Sequence, residues 1–212
     1  MLKVAFFGSS TVQGHGASRS EKRATSLVAS ALGWNEINLG IGGTTVAGRD
    51  EDGFLTSDDS GLARVPDVIA VNPDLVIVLY GANDFGTSVP LGDQSIFAPG
   101  TFASDYDSMV RGLVDALGNS KVVLSTLLYR ADAISANTAG ATLNQYNNII
   151  KETAVKYDLL LLEPDRESTI SESNFDQLSS DDTHLNDQGY QYLAAYYIEK
   201  FSTLGELSSS VN

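Results

Sequence analysis

Five short, predominantly apolar runs limit the possible folds of this chain more than any other feature of its sequence. The runs cover residues 2–7, 37–39, 75–80, 122–128 and 159–162. Their apolar residues follow one another without regular polar alternation, which is typical of parallel strands that are covered on both faces of a sheet. We therefore predict five buried parallel strands.

Segments with the spacing of amphipathic helices lie between these runs. In residues 187–201 the apolar side chains recur at steps of three and four, behind a helix cap at Asn186 or Asp187. The same spacing predicts helices in residues 20–32, in a segment capped by Ser104 and stopped by Gly118, and in residues 143–154. Strand and helix thus alternate, which predicts an α/β protein with a doubly wound parallel sheet and helices on both sides.

The sequence contains neither an internal repeat nor a Pro- or Ser-rich linker, so we predict one domain over residues 1–205 and a flexible tail over 206–212. Residues 84–103 and 130–140 are predicted to be long loops, and long loops in compact domains are often functional. No apolar run reaches the roughly 18–20 residues that span a bilayer, and the N-terminal run is too short for a signal peptide. We expect a soluble protein, cytoplasmic unless a secretion leader has been removed.

Composition excludes several classes of function. The net charge of −14 repels phosphate backbones and anionic headgroups, so we expect no nucleic-acid partner and no stable association with a membrane. The absence of cysteine excludes disulfides, thiolate nucleophiles and Cys-based metal sites. His15 and His184 are the only imidazoles, so a metal centre with several histidines is not expected. We predict neither a metal nor a cofactor.

The polar residues that follow the apolar runs are the ones best placed to reach a ligand, because ligands of an open parallel sheet bind at the carboxyl ends of its strands. Four such blocks are Gly-Ser-Ser-Thr at 8–11, Asn-Leu-Gly-Ile-Gly-Gly at 38–43, Gly-Ala-Asn-Asp at 81–84 and Asp-Asp-Thr-His at 181–184. Together they supply a hydroxyl, backbone N–H donors, a side-chain amide and a carboxylate–imidazole pair. Acyl transfer by a serine requires this set: a nucleophile, a base, a carboxylate that orients the base, and donors for the oxyanion.

In this order and at these spacings, the four blocks resemble the SGNH (GDSL-type) hydrolase superfamily of serine esterases and lipases, over residues 4–192. The resemblance implies a flavodoxin-like, three-layer α/β/α fold with a central parallel sheet of about five strands. It also implies roles for single residues. These are Ser10 as the nucleophile, His184 as its base, Asp181 as the carboxylate that orients His184, and an oxyanion hole formed by the backbone N–H groups of Ser10 and Gly43 and the amide of Asn83.

Ser9 departs from the family pattern, which usually has Asp between the glycine and the nucleophile. A second serine beside Ser10 is a rival nucleophile, although the expected role of Ser9 is to cap the helix that follows. Ser10 is preferred because only this residue keeps the family's register.

Other residues near the four blocks receive different interpretations. Asp182 is a rival to Asp181, but the three-residue spacing to the histidine favours Asp181. His15 is expected to be exposed near the site rather than to act as the base, and Asp84 is expected to be a structural hydrogen-bond acceptor. The candidates for the lining of a substrate pocket are Tyr80, Phe85, Tyr129 and Arg130, and packing in the core is an equal alternative for Tyr80.

An acidic cluster lies apart from these blocks and consists of Asp50, Glu51, Asp52, Asp58 and Asp59. Its spacing does not fit a calcium-binding EF-hand loop, because Gly53 comes two positions early. A solvated acidic face is therefore predicted rather than a calcium site.

These observations predict a serine esterase that hydrolyses carboxylic esters through an acyl-enzyme on Ser10. The sequence has no hydrophobic lid helix, which favours small-molecule esters with short, acetyl-type acyl groups on small or carbohydrate alcohols. A thioesterase or a lysophospholipase of the same superfamily is an alternative, since the fold does not choose among them. A non-catalytic carbohydrate-binding relative is another, and Ser9 is its only support.

Overall fold

The computed structural model describes residues 1–47 and 58–209. They contain a five-stranded sheet formed by β1 (Lys3–Gly8), β2 (Asn35–Gly40), β3 (Leu75–Leu79), β4 (Val122–Ser125) and β5 (Leu160–Leu162). Neighbouring strands are parallel and follow the order β2-β1-β3-β4-β5. This is the flavodoxin-like order. Each strand falls on one of the predicted apolar runs, so the predicted α/β class and its parallel sheet are confirmed.

Helices cover both faces of this sheet. Helix α2 packs against α9, whereas α3 and α6 pack against α5, so the helices form two groups with the sheet between them. In the described residues the helices are α1 (Ser10–Gln13), α2 (Ala24–Leu32), α3 (Val65–Ala70), α4 (Ala82–Gly86), α5 (Phe102–Leu117), α6 (Leu143–Tyr157), α7 (Pro164–Glu167), α8 (Phe175–Leu178) and α9 (Asp187–Ser209). Strands β1 and β3 form the buried centre of the resulting three-layer α/β/α arrangement.

Two helix caps test the predicted helix ends. At α9 the side chain of Asn186 accepts the backbone N–H groups of Gln188 and Gly189, both at 3.0 Å, which confirms Asn186 as the cap. At α5 the predicted cap is wrong, because the helix begins at Phe102 behind Thr101. Ser104 already lies inside that helix, and its hydroxyl accepts the N–H of Ala98 from the preceding loop.

Strand β4 ends at Ser125, earlier than the apolar run 122–128 predicts. At Leu127 the side chain of Asn147 makes the two backbone hydrogen bonds that a neighbouring strand would otherwise make. Its Oδ1 accepts the N–H of Leu127 at 2.8 Å, and its Nδ2 donates to the carbonyl of the same residue at 3.2 Å. The chain after Ser125 therefore leaves the sheet with both backbone groups of Leu127 hydrogen-bonded.

Helix α9 ends at Ser209, and residues 210–212 lie outside the described part of the chain. The division into one domain over 1–205 and a flexible tail over 206–212 stays a prediction. Among the described residues, no helix combines the length and the apolar composition that a membrane span needs.

Candidate active site

Ser10 begins helix α1 directly after strand β1. Gly8, the last residue of β1, approaches β3 closely because it has no side chain. A Cβ on Gly8 would lie 2.3 Å from the carbonyl oxygen of Leu79 on β3. This close approach puts the start of α1 at the carboxyl edge of the sheet. Ser10 is only 7% exposed there, and its backbone N–H belongs to the first helical turn, where a helix offers no internal acceptor.

The imidazole of His184 lies between Ser10 and Asp181. Its Nε2 is 3.0 Å from Oγ of Ser10, and its Nδ1 is 2.9 Å from Oδ2 of Asp181. Oδ1 of Asp181 also accepts the backbone N–H groups of Thr183 at 2.8 Å and of His184 at 2.6 Å. The carboxylate therefore holds both the backbone and the ring of His184, which orients the imidazole toward Ser10.

These hydrogen bonds also control the charge of Asp181. Partial desolvation acts to raise the pKa of Asp181, but the hydrogen bonds from the ring and backbone of His184 and from the backbone of Thr183 outweigh it and lower the pKa to about 2. The carboxylate is thus ionised at neutral pH and favours the tautomer of His184 that carries its proton on Nδ1. In that tautomer the lone pair of Nε2 faces the hydroxyl of Ser10, as a general base requires.

The glycine-rich turn after β2 lies beside the hydroxyl of Ser10. The N–H of Gly42 donates to Oε1 of Gln13 on α1 at 3.0 Å, and a Cβ on Gly42 would lie 3.7 Å from Cβ of Ser10. Gly43 follows with a φ of +79°, a left-handed conformation that glycine adopts without steric cost. A Cβ on Gly43 would meet no described atom within 4 Å, so this residue lies in open space one position beyond the contact with Ser10.

Asn83 lines the same cleft as Ser10, from helix α4 at the end of β3. Its Nδ2 donates to the carbonyl oxygen of Thr44 at 2.8 Å, which ties the amide to the residue after Gly43. An amide nitrogen carries two N–H groups, and Thr44 takes one of them. Asn83 can therefore be held in place and still present a donor to a ligand in the cleft.

The carboxyl group of Asp84 is fully buried beneath the same turn. Its two oxygens accept the backbone N–H of Val46 at 3.0 and 3.1 Å. Burial raises the pKa of Asp84 to about 7, although hydrogen bonds from the backbone of Val46, of Asp84 itself and of Ala47 act to lower it. Asp84 thus anchors the segment that carries Gly43 and Thr44, in agreement with its predicted role as a structural acceptor.

The cleft beside Ser10 is small and mostly apolar. It encloses a volume of about 30 Å³, far below the roughly 300–1,000 Å³ of sites for drug-sized ligands. Besides Ser10 and Asn83 it is lined by Ser9, Thr11, Leu79, Ala82, Leu127, Leu128, Tyr129, Arg130, Thr183 and Leu185. Tyr129 and Arg130 thus line the cleft as predicted.

Two candidates for the pocket lie in the core, which agrees with the alternative interpretation of Tyr80 and differs from the pocket position predicted for Phe85. Tyr80 is fully buried, and its hydroxyl bonds to Thr44 at 3.0 Å and accepts a hydrogen bond from Arg64 at 3.1 Å. Phe85 is 3% exposed and packs edge-on against Tyr146. Both side chains support the loops around the site from below.

Ser9 occupies the N-cap position of α1, but its side chain makes no capping hydrogen bond, so its predicted role as a helix cap is wrong. The physical reason is its backbone: φ of −102° and ψ of −141° lie away from the extended conformation from which caps usually bond. The imidazole of His184 bonds to Oγ of Ser10. Of the two neighbouring serines, Ser10 is therefore the one whose hydroxyl contacts an imidazole.

His15 lies near the site, as predicted, and makes a contact there that the sequence pattern does not indicate. Its ring packs against the ring of His184 with a centroid separation of 4.2 Å and an interplanar angle of 51°. The carboxylate that contacts Nδ1 of His184 is that of Asp181, whereas the described contact of Asp182 is made by its backbone carbonyl, which accepts the N–H of Ala131. Most of the predicted acidic face falls on residues 50–57, which lie outside the described residues.

Gln13 and Thr44 were also missed as supports of the site. Gln13 lies one helical turn after Ser10, and a polar side chain at that spacing is the only local signal that could have indicated its contact with Gly42. The contact of Thr44 with Asn83 joins the turn after β2 to helix α4, 39 residues further along the chain, and no local pattern reports it.

Comparison with known proteins connects this arrangement to a family. The model of the GDSL-like lipase/acylhydrolase family matches residues 6–192. No curated protein matches the chain. Similar solved structures include a protein from Lactobacillus plantarum, with a TM-score of 0.81 and 20% identity over 95% of this chain and 97% of that one.

Two further solved structures share the fold. A possible lipase from Chitinophaga pinensis has a TM-score of 0.72 and 15% identity over 97% of this chain and 99% of that one. A lipase/acylhydrolase from Enterococcus faecalis has a TM-score of 0.67 and 22% identity over 94% of this chain and 95% of that one. At these identities the likeness establishes a shared fold over nearly the whole length of both chains.

Proposed function

The chain belongs to the GDSL-like lipase/acylhydrolase family, whose members are in general ester hydrolases, and from this premise we propose that it is a serine esterase that acts through an acyl-enzyme on Ser10. The observation that carries the proposal is the pair of contacts made by His184, whose Nε2 lies 3.0 Å from Oγ of Ser10 while Nδ1 lies 2.9 Å from Asp181. Both contacts are within the range of a hydrogen bond.

In the first half of the reaction, Oγ of Ser10 attacks the ester carbonyl carbon while Nε2 of His184 takes the hydroxyl proton. The new C–O bond gives a tetrahedral oxyanion, and Asp181 stabilises the imidazolium that has formed. Collapse of the intermediate breaks the bond to the alcohol, which leaves with the proton from Nε2. In the second half, His184 accepts a proton from water, the resulting hydroxide attacks the acyl-enzyme, and the acid is released as Oγ regains its proton.

The oxyanion needs donors that are in place before the charge develops. Three groups are proposed for this: the backbone N–H groups of Ser10 and Gly43 and the Nδ2 amide of Asn83. The contact of Gly42 with Ser10 and the bond from Asn83 to Thr44 support the assignment, because these two contacts involve the residues directly before and after Gly43.

The proposed substrates are small-molecule esters with short acyl groups, acetyl above all, on small or carbohydrate alcohols. The small volume of the cleft beside Ser10 supports this choice, since about 30 Å³ leaves little room for a long acyl chain. A Cβ on Gly43 would meet no described atom within 4 Å, and the proposal places the polar alcohol beside this residue.

The proposal is tested by a panel of p-nitrophenyl esters from acetate to palmitate together with labelling by a fluorophosphonate and peptide mapping. We expect hydrolysis that is fastest with acetate and falls steeply along the series, and a label on Ser10. A maximum with long acyl chains would favour the lysophospholipase alternative, and faster hydrolysis of an acetyl thioester assayed beside the panel would favour the thioesterase alternative. A folded protein that neither hydrolyses any ester nor takes the label would support the non-catalytic relative and overturn the proposal.

A further inference from the structure

His15, His184 and Asp181 form a second constellation that shares two members with the proposed catalytic site. Each of the three side chains offers one ligand atom, and these atoms all lie within 4.8 Å of one another. His15 and Asp181 are exposed to solvent and His184 is partly buried, so an ion can reach the group from water. Two histidines in the whole chain argue against a metal centre, yet the fold places both beside one carboxylate.

The position of His15 is held by contacts on either side of it. The hydroxyl of Tyr190 donates to the carbonyl oxygen of His15 at 2.7 Å. Gly16 packs so closely on the residue after His184 that a Cβ on Gly16 would lie 2.4 Å from the carbonyl of Leu185. The loop that carries His15 is therefore fastened to the loop that carries His184, and the two rings meet because of the fold.

Two imidazoles and one carboxylate are a donor set that suits Zn²⁺ and similar divalent transition metals. Zn²⁺ binds imidazole nitrogen and carboxylate oxygen at about 2.0–2.2 Å in a tetrahedron, so its ligand atoms lie roughly 3.3 Å apart. The ligand atoms here need to close by no more than about 1.5 Å, which rotation of the exposed His15 side chain can supply. Three protein ligands leave the fourth position to water.

We propose that His15, Asp181 and His184 bind one Zn²⁺-like ion, and that this ion reversibly blocks ester hydrolysis. The binding site stands on its own geometry, whereas the block rests on the proposed function. A metal on Nδ1 of His184 replaces the proton that faces Asp181 and forces the imidazole proton onto Nε2, so that the ring becomes a donor toward Ser10. A metal on Nε2 consumes the lone pair itself. Either way His184 can no longer accept the proton of Ser10.

Zinc binding is measured by calorimetry on tag-free protein, so that activity is not needed to detect the site. Wild type is expected to bind one Zn²⁺ per chain, and Ser10→Ala to bind it as well, because Ser10 is not a ligand. His15→Gln removes one ligand and should weaken binding by about tenfold or more. Asp182→Asn is the matched control: it removes the neighbouring exposed carboxylate and should leave the affinity unchanged.

Inhibition is measured in parallel with p-nitrophenyl acetate, each variant being normalised to its own rate in EDTA. We expect Zn²⁺ to stop wild-type turnover, EDTA to restore it, and the half-inhibiting concentration to rise in His15→Gln by the same factor as the dissociation constant. Equal zinc affinity in wild type and His15→Gln, or no binding at one ion per chain, overturns the site. Binding that depends on His15 in a protein without ester hydrolysis upholds the site and refutes the proposed function instead.

Discussion

The hydroxyl of Ser10 lies 3.0 Å from Nε2 of His184 although 174 positions of the chain separate the two residues. Ser10 follows the end of β1 in the middle of the sheet, whereas His184 precedes α9, which packs against α2 on one face of the sheet. Because the sheet is parallel, β1 and its neighbours deliver their carboxyl ends to one edge, and the loop before α9 has only to reach that edge. The proposed nucleophile and base thus meet through topology.

Replacement of Ser10 separates the two neighbouring serines. Ser10→Ala is expected to lower kcat for p-nitrophenyl acetate by a factor on the order of 10⁴ or more, because the nucleophile is lost. Ser9→Ala serves as the control, since the hydroxyl of Ser10 keeps its bond to His184, and it should still take a fluorophosphonate label. Labelling of Ser10→Ala on Ser9 would reverse the assignment.

The carboxylate of Asp181 is expected to matter far more than its neighbour. Asp181→Asn removes the charge that holds the proton on Nδ1 of His184 and should lower kcat by a factor on the order of 10⁴. Asp182→Asn makes the same change of charge one position along and should keep most of the activity. Similar losses in the two variants would point to the local charge rather than to the bond with His184.

The low pKa of Asp181 adds a pH dependence that can be checked. With a pKa of about 2, below the ordinary value of 3.8, Asp181 stays ionised throughout the usual assay range. Its stabilising contribution is complete above the unfolded-state pKa and is lost only as the pH falls from about 4 toward 2. Between pH 5 and 9, protonation of Asp181 should therefore cause no change in the rate. The pH–rate profiles of wild type and Asp181→Asn, each normalised to its own maximum, should show no difference that reports a carboxylate titration.

Asn83 is expected to act on the transition state more than on the bound substrate. Asn83→Ala removes one proposed oxyanion donor and should lower kcat by about 10²–10³ with a small change in KM. Asn83→Asp keeps the size of the side chain but presents an acceptor, so it should be at least as slow. A rise in KM alone, with kcat intact, would mean that Asn83 contacts the substrate but not the oxyanion.

The strands could be predicted closely because burial on both faces leaves a local signature in the sequence. Runs 75–80 and 159–162 lie within one residue of β3 and β5 at each end. The end of β4 could not be predicted in the same way, because Asn147, which is 20 residues further along, takes over the hydrogen bonds of Leu127. Local patterns record burial, but they do not record a distant side chain that replaces a strand.

The residues of the candidate site also differ in whether the sequence could predict them. Ser10, Asn83 and His184 could be named because the order of the four blocks resembles that of the family, and the resemblance implies a role for each of them. The contact of His15 with His184 could not, since it depends on the close approach of Gly16 to Leu185 across the fold.

Asp84 provides a test of electrostatics beneath the site. Burial raises its pKa to about 7, against 3.8 for the ordinary group. Between these two values the folded protein keeps a proton on Asp84 that the unfolded chain has lost. In this range the folded state binds more protons than the unfolded state. By proton linkage, the contribution of Asp84 to the free energy of unfolding therefore falls as the pH rises from about 4 to about 7.

Asp84→Asn removes this titration and keeps the shape of the side chain. The difference in the free energy of unfolding, wild type minus Asp84→Asn, is therefore expected to decrease with pH between about 4 and 7 and to level off above, with a slope of at most about 1.4 kcal/mol per pH unit. Urea denaturation at four pH values in this window measures it. Asp115→Asn, which removes an exposed carboxylate of α5, controls for net charge. Parallel stability curves for wild type and Asp84→Asn would show that Asp84 is ionised in the folded protein over the whole window, with the N–H of Val46 sufficient to hold its charge.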